Sequence, residues 1–434
     1  MRKYLLHILI ISIFSLVLFT CPFVSAQSHK LADEYWSKAQ GLGKQGKYIE
    51  AAEMYEKSVA AEKASLAPRM EKLADALNDA GYYYSLVGQY DKAIKYYEEA
   101  LAIDRRLGQE GGVAIRLNNI GNVYHNWGQY DKAIKNFKEA LVIDRRLGQE
   151  GGVATHLGSI GMVYHAWGQY DKAIKYYEEA LAIDRRLGQE GGVAIHLGSI
   201  GMVYHNWGKY DKAIKNHEEA LAINKRLGKE AGVATDLNSI GRVYNSWGKY
   251  DKAIEYYKEA LATFKKLGQE GNDASLLNNI GVVYYYWGKY DKAIKYFEEA
   301  LDTFKKFGLE GFIATCLSNI GESYYLQGKY KTAIKYFTES VMIIEKLRKT
   351  ATGDIRRDYL ASQLGTYQWL TSAYIRDSDF PSAYQTVELS RAKLLAERLA
   401  GDESKIRLPE VKQIQDTLDE DTVVLVYANV NWED

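Results

Sequence analysis

Histidine is the residue of this sequence whose spacing most suggests chemistry. His125, His165 and His205 recur every forty residues, and His156 and His196 precede the last two of them. Neutral imidazole is a common zinc ligand, so these rows raise the question of a metal site. Ligands of one zinc ion lie about 2.1 Å from it, whereas equivalent positions on neighbouring packed helices are about 8–10 Å apart. We therefore expect no metal site and no cofactor.

Two further patterns have the residue types of a ligand site. Tryptophan stands immediately before a glycine in five successive repeats, at Trp127, Trp167, Trp207, Trp247 and Trp287. Such a row could bind carbohydrate or peptide, and the alternative is packing between repeats. Glycine-rich segments such as LGQEGG lack the Gly-Lys-Ser/Thr ending of a phosphate-binding loop, so we expect them to be connectors.

Cysteine catalysis needs a thiolate and an imidazole in one site. Cys21 falls in an apolar N-terminal segment, which leaves Cys316 as the single cysteine of the remaining chain. Cys316 stands at a small-residue position of an expected helix, so we interpret it as a packing residue, with intermolecular pairing as the alternative. We predict no enzymatic activity.

These residues are positioned by a repeat of forty residues. The string YDKAI recurs at Tyr90, Tyr130, Tyr170, Tyr210, Tyr250 and Tyr290. In two segments of each repeat, small and apolar residues follow spacings of three and four, which predicts two helices. In one repeat these residues are Leu117, Ile120, Gly121, Tyr124, Ala133, Phe137 and Ala140. Each repeat is expected to be a helical hairpin that completes its core by stacking on its neighbours.

With Gly128 and Tyr130, the same positions resemble the pattern of the tetratricopeptide repeat family. The pattern recurs seven times over residues 74–353, with weaker units at 32–73 and 364–400. The period exceeds the roughly 34 residues of the family, and it is similar to a forty-residue subclass found in kinesin light chains and bacterial signalling scaffolds. The resemblance implies an all-α fold, a right-handed solenoid of eight to nine hairpins, followed by a short incomplete α/β segment.

In this family the first helix of each hairpin lines a concave groove. The resemblance places these side chains in it: Asn118, Asn122, His125, Asn126, Met162, His165, Met202, His205, Asn206, Asn238, Arg242, Asn245, Asn278, Tyr285, Tyr286, Glu322 and Tyr325. Asparagine can donate to and accept from an extended peptide backbone, and Tyr and Met supply apolar contact. A protein or peptide ligand is therefore expected; the alternative is that duplicated residues simply face solvent.

The N-terminus has the pattern of an export signal. Arg2 and Lys3 precede an apolar run from Leu5 to Phe19, and small residues end at Ala26. We predict cleavage after Ala26, a signal peptide over residues 1–26, and a periplasmic or extracellular location. The alternative is an uncleaved membrane anchor, although the apolar run falls just short of the roughly 18–20 residues that span a bilayer.

The C-terminal segment departs from the repeat. Residues 385–429 predict a helix, a polar linker, a second helix and a strand. The sequences ELSRAKLLAERLA and VKQIQDTLDEDTVVLVY resemble the entry into a CHAT domain, a caspase-like peptidase module, which makes 401–434 its truncated start. No His follows His217 and no Cys follows Cys316, so no catalytic residue is carried over. The alternative function is the regulatory arm of such a peptidase, whose catalytic part is missing from this chain.

The charge balance limits the classes of partner. The 434 residues carry 56 basic and 56 acidic side chains, which argues against binding to nucleic acid. Apolar residues make up 47% of the chain, as in a folded protein. We predict an exported, non-catalytic scaffold that binds a protein or peptide, and that contacts a membrane only if the signal segment is uncleaved.

Overall fold

The computed structural model describes residues 25–65, 67–350 and 353–399, and all regular structure in these ranges is helical. The expected signal segment lies almost wholly outside them, as does the CHAT-like start at 401–434. The helices are α1 (25–44), α2 (Tyr48–Lys63), α3 (Met70–Leu86), α4 (Tyr90–Leu107), α5 (Glu110–Asn126), α6 (Tyr130–Leu147), α7 (Glu150–Ala166), α8 (Tyr170–Arg186), α9 (Glu190–Asn206), α10 (Tyr210–Arg226), α11 (Glu230–Ser246), α12 (Tyr250–Lys266), α13 (Glu270–Tyr286), α14 (Tyr290–Lys306), α15 (Glu310–Leu326), α16 (Tyr330–Thr350), α17 (Gly353–Arg376) and α18 (Phe380–Leu399).

Odd-numbered helices are the first, and even-numbered helices the second, of successive hairpins. The chain divides into two compact units, Met1–Val203 and Tyr204–Asp434. Within each unit, a helix packs mainly on the helices before and after it in sequence. The predicted all-α fold of stacked helical hairpins is confirmed.

A glycine in the left-handed region ends the first helix of each forty-residue hairpin. Gly128 has φ 74°. Its N–H donates to the His125 carbonyl at 2.9 Å, and the Gln129 N–H donates to the Tyr124 carbonyl at 2.8 Å. This pair of bonds is a Schellman motif, which satisfies the last carbonyls of the helix. Gly128 therefore ends the first helix of this hairpin.

The glycine-rich segments are shorter connectors than expected. Gly108, with φ 69°, ends α4, and α5 begins at Glu110. Only Gly108 and Gln109 connect the two helices, because Gly111 and Gly112 already belong to the first turn of α5. The glycine-rich segment is therefore partly helical and contributes to the first helix of the next hairpin.

Small residues bring the two helices of a hairpin together. Ala133 and Ala140 are fully buried. A Cβ atom at Gly121 would lie 2.6 Å from the Phe137 ring, which is itself fully buried. Glycine is therefore required where the ring of the second helix crosses the first.

The last described hairpin is longer than expected. Its first helix, α17, begins at Gly353 rather than near Leu364. Tyr367 and Leu370 of α17 belong to the same buried cluster as Phe337 of α16, so this hairpin continues the stack.

Candidate functional site

All candidate ligand-binding side chains lie on the first helices of their hairpins. The exposed ones are Asn126, Met202, Asn206, Arg242 and Tyr286. The half-buried ones are Asn118, Asn122, His125, Met162, His165, His205, Asn238, Asn245, Asn278, Tyr285, Glu322 and Tyr325. We call these seventeen residues the first-helix surface. Its half-buried members are held by packing, which reduces the entropy lost when a ligand binds.

Asparagine side chains link neighbouring first helices. In the second unit, the Asn279 Nδ2 donates to Asn238 Oδ1 at 3.1 Å, and the Asn319 Nδ2 donates to Asn278 Oδ1 at 3.2 Å. The same bond joins Asn119 to Asn78 at 2.8 Å in the first unit. Since the amide oxygens of Asn238 and Asn278 accept from the next repeat, their NH₂ groups are the donors left for a ligand. The sequence analysis did not identify the residues that donate these hydrogen bonds, such as Asn279.

Two atoms of the first-helix surface are buried without a hydrogen bond. They are His125 Nδ1 and Asn245 Oδ1, which find no partner among the described residues. An unsatisfied buried polar atom costs about 1–3 kcal/mol. A ligand or ordered water that reached them would recover this free energy.

The recurring histidines of the first-helix surface pack against tyrosines of their own hairpins. The ring centroids of His125 and Tyr130 are 6.0 Å apart, and His205 and Tyr210 are 6.1 Å apart. Burial lowers the pKa of His125 and of His205, so both rings are neutral at pH 7. No group of three or more His, Cys, Asp or Glu residues among those searched in the described part of the chain could hold a metal ion.

Glu322 is the one carboxyl group of the first-helix surface, and it is half-buried. Burial raises its pKa to about 7, partly offset by hydrogen bonds from Tyr285 and Ser318. The Ser318 hydroxyl donates to Glu322 Oε1 at 3.4 Å. Near neutral pH this side chain can therefore be either a donor or an acceptor.

Beneath this surface lies a layer of buried polar pairs that the sequence interpretation missed. Each pair joins the end of a second helix to the next first helix. The pairs are Arg116 with Asp104 at 3.1 Å, His156 with Asp144 at 3.0 Å, His196 with Asp184 at 2.9 Å, and Asn224 with Asp236 at 2.8 Å. In the next two repeats, the equivalent residues are Phe264 with Leu276 and Phe304 with Cys316. Polar partners thus change together, and give way together to apolar ones.

A glycine accompanies each polar pair. A Cβ at Gly112 would lie 2.7 Å from Asp104 Oδ2, and one at Gly152 would lie 1.9 Å from Asp144 Oδ2. In the second of the two apolar repeats the equivalent residue is Phe312, whose ring stacks on Phe304 at 4.9 Å. The two partners of a pair are twelve residues apart in the sequence, and a glycine stands eight residues after the first partner. This spacing is the feature of the sequence that could have revealed the polar layer.

Geometry favours the packing interpretation of the tryptophans. The Trp127 ring is parallel to that of Tyr124, 6.4 Å away, and lies 6.0 Å from the ring of Tyr90 in the preceding hairpin. The ammonium of Lys289 lies 3.0 Å from the ring centroid of Trp287. These contacts use the ring faces that a carbohydrate ligand would need.

Cys316 also packs. It is 1% exposed, its Sγ lies 3.5 Å from Asn278 Oδ1, and burial raises its pKa to about 12. A thiol in this environment is unreactive.

Comparison with known families identifies the fold. The tetratricopeptide repeat family matches residues 34–106, 113–186, 192–266 and 272–346. The chain belongs to the tetratricopeptide repeat family. No curated protein matches it.

One similar solved structure has a TM-score above 0.5, and two others are similar at lower scores. A signal transduction ATPase with a tetratricopeptide repeat sensor from Pyrococcus horikoshii has a TM-score of 0.52 and 17% identity, over 79% of this chain and 52% of that one. BtubC from P. vanneervenii has a TM-score of 0.46 and 26% identity, over 50% of this chain and 92% of that one. A Rap protein complexed with competence and sporulation factor has a TM-score of 0.47 and 15% identity, over 86% of this chain and all of that one.

Within the described residues, no helix is both long and apolar enough to cross a membrane.

Proposed function

We propose that this chain is a non-catalytic scaffold that binds extended peptide segments of a partner protein through its first-helix surface. The observation that carries the proposal is the orientation of the amides of Asn238 and Asn278. Their oxygens accept from Asn279 and Asn319, which leaves NH₂ groups to donate to backbone carbonyls of a ligand.

Apolar contact accompanies these donors. Tyr286 is 63% exposed on the same helix as Asn278, and an aromatic side chain of this kind is typical of interface anchors. Together they offer a peptide backbone donors and a hydrophobic contact.

Selection of a peptide library on the full chain tests this proposal. A random peptide library displayed on phage is selected on the immobilised wild-type protein, and the dissociation constants of enriched peptides are measured by fluorescence anisotropy. We expect Tyr286→Glu to weaken binding at least tenfold. The matched control is Met342→Glu on the second helix α16, where the side chain is 68% exposed. No enrichment, or equal loss in both variants, would refute the proposal.

We also propose that the scaffold is exported, on the strength of the N-terminal pattern ending at Ala26. The intact mass of the native protein tests this, because cleavage leaves Gln27 as the first residue. A mass that still includes residues 1–26 would contradict cleavage and favour the uncleaved membrane anchor.

The second candidate function is the regulatory arm of a CHAT-type peptidase. The sequence VKQIQDTLDEDTVVLVY supports it. Reading the DNA after the codon for Asp434 is the test. An open frame encoding a His and a Cys would support this candidate, and an immediate stop codon would remove it.

A further inference from the structure

Two equivalent buried histidines use their rings differently. His156 Nε2 lies 3.0 Å from Asp144 Oδ2, and its Nδ1 lies 3.2 Å from Asn118 Oδ1, so both nitrogens have partners. His196 instead places Nδ1 2.9 Å from Asp184 Oδ2. Its Nε2 has no hydrogen-bond partner among the described residues.

The unpartnered nitrogen faces a position where a side chain is missing. Gly158 stands where the two preceding repeats have Asn78 and Asn118. A Cβ at Gly158 would lie 2.7 Å from His196 Nε2. His196 is 8% exposed, yet its unpartnered Nε2 is not fully buried, so solvent reaches this atom. We call the solvent-accessible side of this nitrogen, next to Gly158, the Gly158 notch.

The buried carboxylate determines what His196 Nε2 can do. Asp184 is 3% exposed and accepts hydrogen bonds only, so Nδ1 must carry the ring proton. In the neutral ring Nε2 is then an acceptor, and the contact with Asp184 holds its direction. The Tyr177 ring, 6.2 Å away, packs against the same imidazole.

We propose that the Gly158 notch is a specificity site at which His196 Nε2 accepts a hydrogen bond from the hydroxyl group of a Ser, Thr or Tyr side chain in the bound peptide. This inference rests on the proposed function. With the ring neutral, a carboxylate is disfavoured because Nε2 then presents a lone pair. An ammonium group would have to be desolvated for a single neutral acceptor. Met162 lies one helical turn after Gly158 on the same helix face, and it adds apolar contact for the carbon atoms of the side chain.

Chemical modification tests the notch without a ligand. Diethyl pyrocarbonate acylates unprotonated imidazole nitrogens, and peptide mapping by mass spectrometry reports each histidine of the folded full chain. We expect His196 to react at least tenfold faster than His156. Gly158→Ala, which places a methyl group against Nε2, should slow His196 at least fivefold. Gly198→Ala is the matched control, since nothing lies within 4 Å of a Cβ there. Equal rates at the two histidines, or no effect of Gly158→Ala, would overturn the inference.

Peptide binding tests the ligand chemistry. Peptides enriched on the wild-type chain should share a Ser, Thr or Tyr position, and its replacement by Ala, or of Tyr by Phe, should weaken binding about tenfold. The same replacement should have no effect on binding to Gly158→Ala, while Gly198→Ala behaves as wild type. Peptides that bind wild type and Gly158→Ala equally would refute the notch and leave the proposed function intact. Failure to enrich any peptide would overturn both.

Discussion

His217 makes the stability of its repeat dependent on pH. It occupies the second-helix position that is aromatic in the other forty-residue repeats, at Tyr97, Phe137, Tyr177, Tyr257, Phe297 and Phe337. The side chain is 2% exposed, and its Nδ1 has no hydrogen-bond partner among the described residues. Burial, with smaller contributions from His205 and Arg242, lowers its pKa to about 4.

The sign and size of the effect follow from this pKa. The unfolded chain, with a histidine pKa of 6.5, binds the proton more readily than the folded chain. Stability is therefore complete above pH 6.5 and is lost as the pH falls towards 4. The loss is about 2 kcal/mol at pH 5 and about 3 kcal/mol at pH 4.

Hydrogen exchange followed by mass spectrometry measures this loss locally, which matters because stacked repeats unfold in parts. After correction for intrinsic exchange rates, protection of α10 should fall about twentyfold between pH 7 and pH 5. The His217→Phe variant should remove that difference and raise protection at pH 7, since it also removes a buried unpaired nitrogen. The reciprocal Phe297→His should transfer the sensitivity to α14. A wild-type α10 no more sensitive than α14, or a His217→Phe variant that keeps the sensitivity, would refute the reasoning.

Three further substitutions test the packing. Burial raises the pKa of Asp236 to about 6, so the ionised side chain destabilises the folded chain above that pH. Asp236→Asn should therefore raise the free energy of unfolding in urea by about 1–2 kcal/mol above pH 6 and leave it unchanged below pH 3.8. An equal gain in stability at pH 3.5 would contradict this. Arg116→Leu alone leaves Asp104 buried without its charge partner and should cost about 3 kcal/mol in urea unfolding. The double change Arg116→Leu with Asp104→Phe should recover most of that loss, and an equally unstable double variant would be inconsistent with the pairing. Gly121→Ala should lower the free energy of unfolding by about 1–3 kcal/mol, because the added methyl group would overlap the Phe137 ring. Thermal unfolding measures this loss, and unchanged stability would mean that the ring moves aside.

The hairpin fold was predictable because its causes are local. The spacing of small and apolar residues determines where a helix forms, and a turn glycine such as Gly128 determines where it ends. Both signals lie within about twenty residues of sequence. The close approach at Gly121 also follows from the pattern, since only glycine leaves room for the aromatic ring of the next helix. Stacking then needs no long-range information beyond repetition.

The buried polar layer was not predictable in the same way. His156 and His196 were considered only as metal ligands, and spacing along one helix says nothing about a partner on the preceding helix. Their true partners, Asp144 and Asp184, look like solvent-facing residues near the end of a charged helix. Only the packing of two hairpins shows that these carboxylates are buried. The contribution of each residue of the first-helix surface to binding stays a prediction.

Hydroxyl-radical footprinting of the full chain, with and without a peptide enriched on it, tests the central claim most directly. Tyr286 on a first helix and Met342 on a second helix are similarly exposed and lie in the same unit. We predict that the peptide lowers the oxidation rate of Tyr286 at least threefold and leaves that of Met342 unchanged. Protection of Met342 with Tyr286 unaffected would place the ligand on the second helices and contradict the account.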